Sequence, residues 1–155
     1  MALQRDRKIQ SYKDASYFWD SNSAERGGIA VQSTTHGSGD ALDQSSHVAT
    51  YAANPSGLFP LGVLMWDVVN VDLTKYKLNQ HKCELNINQK APIADVGWVL
   101  TDMTEGAITV GPAYLGHSGR IRSTINDNIA NSPLVGRVEA TADEDGYVKL
   151  YFNLP

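Results

Sequence analysis

The stretch Asp143-Glu144-Asp145-Gly146-Tyr147-Val148-Lys149-Leu150-Tyr151-Phe152-Asn153-Leu154 decides the fold class. Val148, Leu150, Phe152 and Leu154 share one side of an extended segment, and Tyr147, Lys149, Tyr151 and Asn153 share the other. Period two is the mark of a strand with one dry and one wet face. Asp145-Gly146, just ahead of it, is a hairpin turn signal. Before the turn, Leu134, Val138 and Ala140 alternate with Val135, Arg137 and Glu139, which predicts the partner strand over 134–141. The same acidic turn superficially echoes a calcium loop. Such a loop needs further oxygen ligands and a bidentate glutamate downstream, where this chain starts a strand, so a hairpin is the expectation.

Similar signals recur up the chain. Candidate strands lie at 29–32, 47–52, 61–71, 82–87, 94–100, 107–110 and 113–115, besides 134–141 and 147–154. Asn54-Pro55-Ser56-Gly57, Gly111-Pro112, Gly116 and Gly119 punctuate the joints. No amphipathic helix of ten residues is evident after Gly28. Many short strands at this spacing predict an all-β body, either a small barrel or a sandwich. Two polar stretches, 33–40 and 123–132, read as loops of the kind that meet partners.

A length of 155 residues suits one domain. Hydrophobic content of 42% with 19% charged residues is ordinary for a globular chain. The net charge of −4 argues against nucleic acid as the main partner, because phosphate binding needs clustered Lys and Arg. The longest apolar run, 61–66, is too short for a membrane span, so no membrane partner is expected. Cys83 is the only cysteine and shares a side with Leu85 and Ile87, which predicts an inert buried thiol. Met1-Ala2-Leu3-Gln4-Arg5 carries no apolar stretch behind its charges, so synthesis in a reducing cytoplasm is expected.

Residues 1–27 differ in character from 28–155. In the first thirteen positions Arg5, Arg7, Lys8 and Lys13 against Asp6 are four bases and one acid, a local charge of +3. Tyr17-Phe18-Trp19 follows, without helical spacing. Fully extended, such a segment reaches about 85 Å, against a body with a radius of gyration of about 15 Å. The sequence therefore predicts an extended N-terminal arm over 1–27 and a β-barrel body over 28–155. Aromatic residues anchor interfaces, so Tyr17, Phe18 and Trp19 are candidate contacts with a neighbouring subunit or larger assembly. Arg5, Arg7 and Lys8 would meet an acidic surface. The competing reading has the aromatic residues cover an open end of their own body.

Little points to catalysis. His36, His47, His81 and His117 are scattered, with no spacing that would gather the donors zinc requires. Gly116-His117-Ser118-Gly119 sets a hydroxyl beside an imidazole, yet a nucleophile elbow needs Gly-x-Ser-x-Gly at a strand-to-helix junction, and Arg120 stands in the last place. No catalytic residue, metal or cofactor is expected. A hydrolase built on Ser118 and His117 ranks third among the functional readings.

Gly27-Gly28-Ile29-Ala30-Val31, Pro60-Leu61-Gly62-Val63-Leu64, Lys90-Ala91-Pro92-Ile93 and Gly97-Trp98-Val99-Leu100-Thr101 follow one another in order. Gly111-Pro112-Ala113-Tyr114, Val135-Gly136-Arg137 and the acidic turn with its strand complete the series. In this order and spacing, residues 27–155 resemble the head decoration, or cement, proteins of tailed bacteriophages. The resemblance implies a β-barrel or β-tulip body that forms a homotrimer on the outer surface of the virion capsid. Its partner would be the major capsid protein, its arms would bridge capsomers of the expanded shell, and no catalytic residues carry over. The runner-up reading is a receptor- or glycan-binding β module of a virion fibre or tail.

Overall fold

A computed structural model describes residues 8–13, 17–20, 22–33, 47–70, 83–125 and 132–155. Among these residues are twelve strands: β1 Lys8–Tyr12, β2 Tyr17–Trp19, β3 Ile29–Gln32, β4 His47–Thr50, β5 Pro60–Leu64, β6 Asp67–Val69, β7 Glu84–Asn86, β8 Ile93–Thr101, β9 Gly111–Leu115, β10 Ile121–Arg122, β11 Leu134–Ala140 and β12 Val148–Asn153. The fold is all-β. Among the described residues the only helical turn is a 3-10 turn at His117–Gly119, and no helix is long and apolar enough to cross a membrane.

Ten strands form one sheet in the order β10-β9-β11-β12-β8-β5-β3-β4-β2, with β1 added on β8. β6 and β7 pair in parallel as a small second sheet. The main path runs open from β10 to β2 and does not close into the barrel that the sequence suggested. Its two ends are nevertheless covered. Ile121 donates to Met103 O at 2.9 Å and Glu105 to Ile121 O at 2.8 Å, so the segment after β8 seals β10. At the other end, Trp19 donates to Gln89 O at 2.9 Å and Ala91 to Tyr17 O at 3.0 Å. Covered edges deny other chains a template for strand pairing.

The hairpin of β11 and β12 forms as its alternation predicts. Asp143 Oδ1 accepts from the amides of Asp145 at 3.0 Å and Tyr147 at 2.8 Å, which ties the turn. Val148, Leu150, Phe152 and Leu154 all enter the core. The partner strand departs from simple alternation, because the register shifts between Leu134 and Gly136 against β9 and between Val138 and Ala140 against β12. Each shift is a bulge that turns a side chain over. Val135 and Val138 therefore point inward, while Leu134 is 59% exposed.

The core has two layers that share β3 and β5. Ile29, Val31, Val63 and Met65 face Val99, Leu115, Ile121, Leu150 and Phe152 in one layer. Ala30, Leu61, Leu64 and Ile93 face Trp19, Ala49, Val68 and Leu85 in the other. The unbroken apolar runs Ile29-Ala30-Val31 and Val63-Leu64-Met65 follow from this, since both faces of those strands are dry.

Three expectations change. Residues 107–110 are not a strand; Val110 is exposed, and the strand starts at Gly111. The long segment 61–71 breaks at Met65-Trp66 into β5 and β6. Cys83 is exposed, because its positive φ of 56° takes it out of the alternation that would have buried it.

The largest correction concerns the predicted arm. Lys8–Tyr12 is strand β1 on β8, Tyr17–Trp19 is β2 on β4, and Ala24 bridges Val68. The described part of residues 1–27 is thus built into the body, so a boundary at 27/28 separates nothing there. The cause is burial: Trp19 is 1% exposed, and at roughly 25 cal/mol per Å² of apolar surface no extended conformation in water competes with that site. Its indole also donates to Asn22 O at 3.0 Å and meets the Tyr51 ring edge-on at 5.0 Å. Tyr51 in turn donates to Glu25 O at 2.6 Å and accepts from the Gly28 amide at 3.0 Å. Burial, helped by the negative charges of Asp67 and Glu25, outweighs the Gly28 amide bond and pushes its phenol well above the ordinary pKa.

Candidate functional site

The strand register aligns one row of residues across five strands. Pro112 pairs with Arg137, Arg137 with Tyr151, Tyr151 with Trp98, and Trp98 with Lys8. Facing residues on neighbouring strands project to the same side of a sheet. Phe152, Leu150, Val99 and Val138 fill the inner side, so this row lies on the outer one. The Trp98 and Tyr151 rings stand 4.8 Å apart with their planes at 44°. Lys8 Nζ lies 5.8 Å from the Trp98 ring centroid, within cation–π reach.

Glu139 organises the polar edge of the row. Its Oε2 accepts the Trp98 indole N–H at 3.1 Å, and its Oε1 accepts from Arg137 Nη2 at 2.9 Å. Lys149 Nζ stands 4.0 Å from Oε2. The Arg137 hydrogen bond, helped by the indole donor and the two positive charges, outweighs desolvation and holds the Glu139 carboxyl below its ordinary pKa. The side chains are thereby set in fixed directions, with Arg137 and Lys149 open to solvent and Trp98 half-buried. Beside them Leu134, Val135, Gly136, Arg137, Tyr151 and Asn153 line a shallow groove of about 290 Å³.

The close approach of β1 to β8 depends on Gly97. Ala94 is flanked by Tyr12 and Val63, and Gly97 by Ile9 and Phe152, so β1 lies on the side of β8 away from β5 and β12. A Cβ at Gly97 would stand 2.4 Å from Lys8 O and 3.0 Å from Ile9 Cα, and its φ of +155° is one L side chains rarely adopt. Lys13, next along, bonds the Pro155 carbonyl and lies 3.9 Å from Asp95. Ser11 also bonds Asp95.

The residues singled out in the sequence are thus dispersed. Lys8 belongs to the outer row. Phe18 is half-buried with Lys90 5.6 Å from its ring, Tyr17 is half-buried against the second core layer, and Trp19 is wholly internal. Arg5 and Arg7 lie outside the described residues. Trp98, Tyr151 and Arg137 were not among the predicted contacts. The period-two pattern already carried the signal for Tyr151, an aromatic residue placed on the wet face between Lys149 and Asn153.

His117 and Ser118 occupy the 3-10 turn at another end of the molecule. His117 Nδ1 faces Glu105 Oε1 at 3.0 Å, the His117 amide donates to Glu105 Oε2 at 2.9 Å, and Arg122 donates to Oε1 at 2.8 Å. Desolvation alone would raise the Glu105 pKa, but those bonds and the nearby positive charge hold it below the ordinary value. This is a clamp between two loops, with the imidazole turned to a carboxylate. Among the described residues no three His, Cys, Asp or Glu side chains are grouped to hold a metal ion. Compared with protein-family models, with curated proteins and with solved structures, the chain matches none.

Proposed function

We propose that this chain is a head decoration protein of a tailed bacteriophage, binding the outer surface of the expanded shell through the sheet face that carries Lys8, Trp98, Tyr151 and Arg137. The observation behind this reading is that row, because Trp, Tyr and Arg are the residue types that dominate the energetics of protein interfaces. The order of sequence pieces across 27–155 supports it, as does the all-β body. The partner is the major capsid protein, and the assembly is a homotrimer. No chemistry is required. A protein that binds only the expanded geometry shifts the shell equilibrium by the difference in its affinity for the two states.

The test is cosedimentation of the purified protein with expanded and unexpanded heads. Trp98→Ala with Tyr151→Ala should weaken pelleting with expanded heads by about thirtyfold, the equivalent of one interface hot spot of roughly 2 kcal/mol. Unchanged pelleting by a variant that melts like the parent overturns the assignment.

The half-buried aromatic pair on the outer face also bears on a second reading, a glycan-binding module on a virion fibre. A sugar ring stacks best on a flat platform, and rings inclined at 44° do not make one. Binding on a glycan array that is lost with Trp98→Ala, with no pelleting on heads, would establish this alternative.

A further inference from the structure

We infer that the outer face receives an acidic, extended segment of its protein partner, with one apolar side chain of that segment seated in the groove between Leu134, Arg137, Tyr151 and Asn153. This deepens the docking role given above to the same face and rests on it. Lys8, Arg137 and Lys149 against Glu139 leave that face at +2, on a chain whose total is −4, so the remainder carries −6. A second copy laid on it by two-fold symmetry would set these cations against each other. Like charges across an interface exclude wrong partners, and opposite ones steer the right one in.

The side chains suit carboxylates. Arg137 is 64% exposed at its side chain, and Glu139 engages its Nη2. A guanidinium carries five N–H donors in a planar fork, which matches a carboxylate two atoms at a time. Lys149 is 50% exposed and lies on the same edge. The groove offers the apolar part of the contact. Leu134 forms its exposed wall, and Gly136 lets β11 lie close against β12 beside it, because a Cβ there would come within 2.0 Å of the Tyr151 carbonyl oxygen. An extended segment alternates its side chains, so an apolar residue can enter the groove while its neighbours present carboxylates to Arg137 and Lys149.

The experiment uses the full-length protein and two labelled peptides, one alternating glutamate with leucine and one alternating lysine with leucine, read by fluorescence anisotropy. The glutamate peptide should bind and the lysine peptide should not. Binding should weaken as salt rises. Arg137→Glu should weaken the glutamate peptide by at least about tenfold, from loss of a charge-assisted contact and added repulsion. Leu134→Ser should weaken it less, with melting temperatures unchanged in both variants. Equal binding of the two peptides, or indifference of the glutamate peptide to Arg137→Glu, overturns the inference. So does a parent oligomer that Arg137→Glu dissolves in light scattering while neither peptide binds, because the occupant is then a second copy. If the glutamate peptide behaves as expected but heads fail to pellet with the protein, the acidic partner stands and the shell assignment falls.

Discussion

Trp19 shows how a side chain of one chemistry can serve either of two purposes. In the sequence it stands between a basic stretch and a polar one, where an exposed anchor and a core residue look alike. In the structure it fills the space between β3, β5 and β6 and is 1% exposed. Trp19→Ala should therefore cost about 3–5 kcal/mol of stability through the cavity it leaves. Phe18→Ala, at a half-buried position, should cost clearly less. Urea denaturation compares the two, and a Trp19 variant as stable as the parent would return that residue to the surface. Alternation along one strand was legible because it needs only local information, as in Val148 to Leu154. The placement of Trp19 was not, because its partners Ala49, Val68 and Leu85 lie at least thirty residues away.

Strands depend on neighbours in the same way, and β1 most of all. Its residues Lys8, Gln10, Ser11 and Tyr12 are exposed, so backbone pairing, Ile9, the Ser11–Asp95 bond and the Lys8–Trp98 contact are what hold it to β8. Gly97→Ala should push β1 away and speed hydrogen exchange at its amides, while the amides of β12 on the opposite flank change less. Uniform change across both strands would mean that Gly97 supports the whole sheet. The Glu105 clamp joins the 3-10 turn and β10 to the loop after β8. Because its carboxyl is held below the ordinary value near 4.5, its contribution is complete above that pH. The contribution is lost as the pH falls through the lowered value. Glu105→Gln should flatten that acid limb of stability and cost on the order of 1 kcal/mol at neutral pH, a modest figure because the site is partly solvated. A parent and variant with parallel pH profiles would deny the clamp its role. Turn chemistry made the hairpin of β11 and β12 readable, whereas the two bulges in β11 were not, since a bulge is fixed by the register of both neighbouring strands.

For the molecule as a whole, composition and punctuation carried the all-β class, and pairing between distant strands decided what they could not. The expected division into arm and body gives way to a sheet in which β2 is one end of the main path and β1 is added on β8. The candidate face is assembled from five strands whose members run from Lys8 to Tyr151, so no local window of sequence displays it. Lys8 was legible as a candidate because charge is a property of a single residue. Trp98 was not, since a tryptophan between Gly97 and Val99 reads as core until the register shows which way it points.

The place of β1 also has a consequence for how the protein is made. Its pairing partner, from Ala94 to Trp98, is synthesised about ninety residues later. At roughly 5–20 residues per second on the ribosome, the first strand waits on the order of 5–20 s before anything exists to receive it. Even then β8 lacks β12, which emerges nearly fifty residues after Thr101. Until the last hairpin arrives, Val63 and Val99 lack the Leu150 and Phe152 side chains that complete their core layer, and transiently exposed apolar surface of this kind is aggregation-prone.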